Sequence, residues 1–256
     1  MIEERSFSPY LITKGLVRPL NLNETICIER TLEGVHLLVT GMPRWGKTTA
    51  LQQLAKESPQ TSFAIVEVQS PMPKPKNIML DDYDALFEDL SFANSGLVQL
   101  TQNFYSQRCE VFVYERGFVD QIAFMEALQT MWGKQEKNQA IYDRRQQKII
   151  DFKNYFRHFL PMIDGVIICN SSPDISLQRG SKTNPRLLEL LSEGYNRLPQ
   201  LIAELMLENI PLPVIELEFD KLLHPEDTLK TAVLVMANWN LMGKISNVLE
   251  LIKNIS

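Results

Sequence analysis

Apolar residues along this chain fall into two kinds of pattern. Five short runs, at residues 35–40, 63–68, 111–115, 166–170 and 214–219, are crowded with aliphatic and aromatic side chains. Four are nearly continuous, as strands covered on both faces of a parallel sheet must be. The last carries Glu216 and Glu218 and alternates, as an edge strand does. Elsewhere apolar positions recur every three or four residues, which predicts helices over 49–57, 83–107, 119–131, 135–159, 186–208 and 229–254. Strands alternating with helices specify an α/β, doubly wound fold with a five-stranded, mainly parallel sheet and helices on both faces. Residues 1–33 form an N-terminal extension that can add an edge strand or hairpin, with Ile26 to Ile28 as its candidate. Residues 34–256 form the main domain. The segment from Pro71 to Lys76 holds three prolines and is expected to be a loop at the functional edge of the sheet.

Ligands of doubly wound sheets lie beyond the carboxyl ends of the strands, so the residues ending each run carry the chemistry. After the first run comes Gly41-Met42-Pro43-Arg44-Trp45-Gly46-Lys47-Thr48, followed by Thr49 and the first helical pattern. This fits the phosphate-binding pattern G-x-x-x-x-G-K-[ST] (Walker A) in the strand–loop–helix setting the pattern requires. The glycines let the backbone curl so that its N–H groups and the helix N-terminus converge on an anion. Lys47 is expected on the β/γ-phosphates of ATP and the Thr48 hydroxyl on Mg²⁺. Trp45 could stack on a base or shield the site, or be an incidental surface aromatic.

Glu67 lies near the end of the second run, and Glu115-Arg116 end the third. Two carboxylates and an arginine around Mg·ATP suit phosphoryl transfer, one carboxylate accepting the acceptor's proton and the other holding the metal, usually through its water.

Composition narrows the partners. A net charge of -5 over 256 residues leaves no basic footprint for a nucleic acid polymer. No apolar stretch approaches the ~20 residues needed to span a bilayer. The N-terminal Met-Ile-Glu-Glu-Arg is unlike a secretory signal. Cys27, Cys109 and Cys169 are scattered without metal-type spacing, and two of them lie in apolar runs, as small buried thiols in a reducing compartment do. A cytoplasmic protein with a small-molecule acceptor is expected, without a membrane partner and with a homodimer allowed. His36 follows the strand period and is expected in the core; Asp143-Arg144-Arg145 is expected on a solvated helix face.

The run Val111 to Gly117, followed by a helix containing Asp120 and Phe124, resembles the apolar strand plus Asp/Glu-Arg-Ser signature of P-loop deoxynucleoside kinases and thymidylate kinases. Residues 161–179, in which a strand ends in a polar turn before Pro173, Asp174 and a helix ending in Arg179, are similar to that group's approach to its lid. The resemblance covers roughly residues 34–220. It implies Lys47 and Thr48 on phosphates and Mg²⁺, Glu67 as base, Glu115 near Mg²⁺, and Arg116 on the acceptor or the transferring group. It also implies a basic lid near 178–190 in which Arg179, Lys182 and Arg186 close over ATP. The chain departs from the family at Gly117, where Ser is usual, and at Val68, where Pro is usual. It also has no Arg between Arg44 and Arg108, the interval of the usual acceptor arginine.

The leading expectation is therefore an ATP-dependent kinase acting on a hydroxyl acceptor of the (deoxy)nucleoside type. A nucleoside monophosphate kinase, a non-catalytic ATP-binding regulatory module, and a nucleotide-driven switch are the alternatives. The switch lacks any Asp-x-x-Gly element or guanine signature in this sequence.

Overall fold

The computed structural model describes residues 7–19, 34–57, 63–67, 111–132, 139–207 and 211–242 of the chain. In chain order these form β1 (Phe7–Thr13), β2 (Leu16–Pro19), β3 (Val35–Gly41), α1 (Lys47–Glu57), β4 (Phe63–Glu67), β5 (Val111–Glu115), α2 (Phe118–Trp132), α3 (Gln139–Phe159), β6 (Gly165–Asn170), α4 (Pro173–Gln178), α5 (Pro185–Asn196), α6 (Leu198–Leu205), β7 (Leu212–Glu218) and α7 (Pro225–Met242). All described strands join one sheet of seven, in the order β2-β1-β7-β6-β3-β5-β4.

The five strands expected from the sequence are the five that pair in parallel, from β7 to β4. Two more come from the N-terminal segment: β1 and β2 make an antiparallel hairpin, and β1 pairs antiparallel with β7. The expectation of an edge strand at 214–219 is therefore corrected, because β7 lies between β6 and β1. Its alternation reflects half-buried Glu216 and Glu218, not a free edge. The hairpin turns at Gly15, whose N–H donates to the Ala203 carbonyl of α6 at 2.8 Å. Ile26 to Ile28, the segment 69–107 with its Pro-rich loop and expected helix, and residues beyond 242 lie outside the described residues.

Central β3 is buried along its whole length. Leu38 joins Phe112, Tyr114, Val166 and Ile168 in a core roofed by α2, α3, α5 and α6. Leu37 and Val39, on the opposite face, pack with Val113, Ile167 and the inner faces of α1 and α7. His36 is buried as expected: it stacks on Phe112 at 4.7 Å, and its backbone N–H donates to Asp164 at 2.7 Å.

Two helix expectations are corrected. The pattern over 186–208 folds as two helices meeting at Arg197, because Pro199 cannot continue the preceding helical ladder and instead sits in the first turn of α6. The first of these, α5, starts cleanly: Asn184 caps the Arg186 N–H at 2.8 Å and Pro185 takes the first helical position. On α3, Asp143 and Arg144 are exposed as expected, but Arg145 is buried. Among the described residues no helix is long and apolar enough to cross a membrane.

Candidate phosphate-binding site

Strand order decides where this sheet can hold a ligand. From β3 the chain runs to β4 and β5 on one side, then crosses to β6 and β7 on the other. The carboxyl end of β3 is thus a topological switch point, where an open parallel sheet leaves a crevice. The loop Gly41 to Thr48 stands there.

Its backbone conformation explains its glycines. Gly41 has φ 126° and Gly46 has φ 107°, values that only glycine adopts without strain. Arg44 takes a left-handed φ of 62°. The loop is anchored at three points to the segment after it in space. The Met42 N–H donates to the Cys169 carbonyl at 2.9 Å, Ser176 Oγ to the Pro43 carbonyl at 2.8 Å, and the Trp45 indole N–H to the Asn170 carbonyl at 2.8 Å. Trp45 is fully buried, with its ring edge-on to Phe219. Neither the surface aromatic nor the base-stacking role fits this side chain: a buried indole anchors the loop and leaves only its backbone for a ligand.

Lys47 is buried, and its Nζ donates to the Gly41 and Met42 carbonyls, each at 2.8 Å. Burial lowers its pKa, while the carboxylates of Asp120 and Glu115 and the thiol of Cys169 act against that shift. The ammonium is curled over its own loop with its donors aimed inward. Thr48 Oγ1 donates to Glu115 Oε1 at 2.5 Å, so the start of α1 and the end of β5 meet through a hydroxyl and a buried carboxylate. Oxygen donors of this kind suit Mg²⁺, which prefers one or two protein oxygens and keeps its waters. Glu67 ends β4 directly in register with Glu115. Arg116 is exposed, with φ 64° and its N–H donating to the Val39 carbonyl at 3.0 Å.

Of the three cations expected to close over ATP, the structure draws one to the loop. Arg179 donates to the Trp45 carbonyl at 3.4 Å, pairs with Glu226 at 2.7 Å, and lies 4.8 Å over the Phe219 ring. Lys182 is exposed, and Arg186 is turned onto Glu189 in an exposed i,i+3 pair. Thr49 is exposed on α1, while Met42 is buried.

Sequence reasoning placed Asp120 on the helix after the third strand run but assigned no role to this polar group beneath the loop. Asp120, 4% exposed, accepts from Thr40 Oγ1 at 2.8 Å, from the Gly41 N–H at 3.4 Å and from the Tyr195 hydroxyl at 2.8 Å. It also missed Glu226, whose carboxylate oxygen stands 2.6 Å from where a side chain on Gly46 would begin. An acidic residue in a helix's first turn reads as a dipole partner, so no local signal separates either residue from that ordinary role.

No family model matches this sequence, and no curated protein matches it. Among solved structures, a deoxyadenosine kinase from M. mycoides with bound dATP is similar, with a TM-score of 0.51 at 13% identity. That match covers 80% of this chain and 100% of the other. A second structure of deoxyadenosine kinase from M. mycoides, with products dCMP and a flexible dCDP bound, gives a TM-score of 0.48 at 14% identity over 81% of this chain. The likeness is one of fold: this chain shares the α/β fold of the first of these deoxyadenosine kinase structures.

Proposed function

We propose that the protein is a cytoplasmic ATP-dependent kinase that transfers the γ-phosphoryl group of Mg·ATP to a hydroxyl acceptor, a (deoxy)nucleoside. The observation that carries this reading is the conjunction at the switch point: a glycine-shaped loop, a buried Lys47, and a Thr48 hydroxyl bonded to Glu115.

Loop N–H groups and the N-terminus of α1 would bind the phosphate oxygens. Lys47 would exchange its two carbonyl contacts for the β/γ-phosphates, a stronger charge-assisted pairing. When bound, Mg²⁺ would neutralise charge on the phosphates, and Thr48 with Glu115 are the residues that would hold it. Glu67 would accept the acceptor's hydroxyl proton as that oxygen bonds to the γ-phosphorus and the bond to ADP breaks. Arg116, exposed at the end of β5, would stabilise the charge on the transferring group. The guanidinium of Arg179, which lies 4.8 Å over the Phe219 ring beside the loop, offers its other face as a surface on which the base of ATP would stack. Lys182 and Arg186 would close with the lid over the triphosphate.

Composition favours an uncharged acceptor. A monophosphate acceptor is a dianion that needs dedicated cationic donors, usually bidentate arginines. Residues 69–107 contain no Arg, and their only lysines are Lys74 and Lys76; they offer Gln99, Gln102, Asn103, Phe104 and Tyr105, which suit an uncharged ring. The test sets the four deoxynucleosides beside their four monophosphates with Mg·ATP and identifies the products. A nucleoside converted to its monophosphate supports the reading. Diphosphate formation with every nucleoside inert overturns it in favour of a monophosphate kinase.

A further inference from the structure

Asp120 has no part in the chemistry above, yet three donors converge on it under the loop. Oδ1 receives the Gly41 N–H and the Tyr195 hydroxyl, and Oδ2 receives the Thr40 hydroxyl. Only a carboxylate accepts at both oxygens; an amide would turn its NH₂ toward one of those donors. Thr40 and Gly41 lead β3 into the phosphate loop. Tyr195, fully buried, is in the last turn of α5, the helix that follows the basic segment 179–186.

A second tie joins the same two parts. Ser176, on α4 just before that segment, is buried and donates to the Pro43 carbonyl within the loop. The unit α4–α5 therefore grips the loop at both of its ends: Ser176 on Pro43, and Tyr195 through Asp120 on Thr40 and Gly41. The stretch between the two grips contains Gly180, with φ 81°, and the helix-starting Asn184-Pro185. It carries Arg179, Lys182 and Arg186. A rearrangement at Gly41 reaches this stretch through one hydrogen-bonded carboxylate.

We propose that Asp120 and Tyr195 are positioning residues that couple occupancy of the phosphate loop to ordering of residues 179–196. This rests on the reading of the loop as a nucleotide site. Neither residue touches the nucleotide. Their bonds transmit the loop's state to α5, which bears Arg186 and directly follows the stretch that carries Arg179 and Lys182.

Hydrogen exchange on the full chain, with and without Mg²⁺ and a non-hydrolysable ATP analogue, tests the coupling in the parent, in Tyr195→Phe and in Asp120→Asn. In the parent, the analogue slows exchange in both 41–50 and 179–196. In the variants it still protects 41–50, whereas the added protection of 179–196 falls about fivefold or more, the range of a typical coupling between sites. A purely structural role would instead speed exchange in α5 equally with and without nucleotide, leaving the ratio between the two states unchanged. That outcome overturns the proposal, as does parent-like added protection in Tyr195→Phe. Absence of protection at 41–50 in the parent removes the nucleotide site itself, and the proposal with it. Should Asp120→Asn fail to fold, Tyr195→Phe carries the test, because it removes one hydroxyl and leaves the ring's packing intact.

Discussion

Replacing Gly41 by alanine adds one methyl group at the point where the loop leaves the sheet. Built on the observed backbone, that carbon would lie 2.0 Å from the Cys169 carbonyl oxygen and 2.6 Å from its carbon. Both are backbone atoms of β6, a strand paired on both sides, so they cannot turn away as a side chain would. The residue would also be held at φ 126°, where an L side chain costs on the order of 1–3 kcal/mol. Relieving the clash moves Gly41 off β6 and breaks the bond from the Met42 N–H to the Cys169 carbonyl, worth about 1 kcal/mol net. It also strands the donors that meet Asp120. Together these effects give a loss of about 3–5 kcal/mol. For a domain of this size that corresponds to a fall in Tm on the order of 10 °C. Differential scanning calorimetry of parent and variant measures it, with Mg·ATP added in a second pair of scans. In the parent, ATP should raise Tm by mass action; in the variant it should not, because the displaced loop no longer presents its N–H groups. A variant melting within about 2 °C of the parent, or stabilised equally by ATP, would refute the close approach of Gly41 to β6.

Trp45→Ala should cost about 3–5 kcal/mol in chemical denaturation, as for other buried aromatics, since the indole is fully buried and bonded to Asn170; an unchanged midpoint would contradict its anchoring role. Glu115→Gln should raise the Mg²⁺ concentration giving half-maximal phosphoryl transfer, whereas Glu67→Gln should lower the rate by about 10²–10⁴-fold with little change in Mg²⁺ demand. Equal Mg²⁺ dependence in the two variants would dissolve that division of labour. Cys169 is buried and its pKa is raised by that burial, so its thiol should resist alkylation at neutral pH until the chain is unfolded, as peptide-resolved labelling would detect. The sign of its linkage follows: the folded thiol keeps its proton where the unfolded one ionises, so this contribution to stability is full below the unfolded pKa and declines as pH rises above it.

The parallel part of the sheet was legible because strands buried on both faces must be apolar nearly throughout, and runs such as Val35 to Val39 have no other soluble use. The hairpin was less so. Its first strand contains Pro9, which argues against a strand interior, and only the structure shows that Pro9 falls outside the stretch of β1 paired with β2, which begins at Tyr10. The phosphate loop was legible because its glycines are dictated by local backbone geometry. Trp45 was not, since its direction is set by Asn170 and Phe219, over a hundred positions away in sequence. Glu115 was found because it ends a strand, and strand ends face the crevice. Asp120 escaped because it opens a helix, where an acid is ordinary; its three donors come from β3, the loop and α5, which only the fold assembles. Arg179, Lys182 and Arg186 were grouped by the family resemblance, yet Arg179 reaches the loop while Arg186 is held by Glu189.

The central claim is that the loop at the end of β3 binds Mg·ATP through Lys47. Isothermal titration of Mg·ATP into the parent and into Lys47→Ala tests it most directly. A buried ammonium bonded to two loop carbonyls has its charge available to the phosphates, and losing a charged hydrogen bond removes about 1.5–3 kcal/mol. The expected result is saturable one-to-one binding by the parent and binding weaker by about 10- to 100-fold in the variant, one decade per 1.4 kcal/mol. Equal affinity in the two proteins, or no binding by the parent, would contradict the claim.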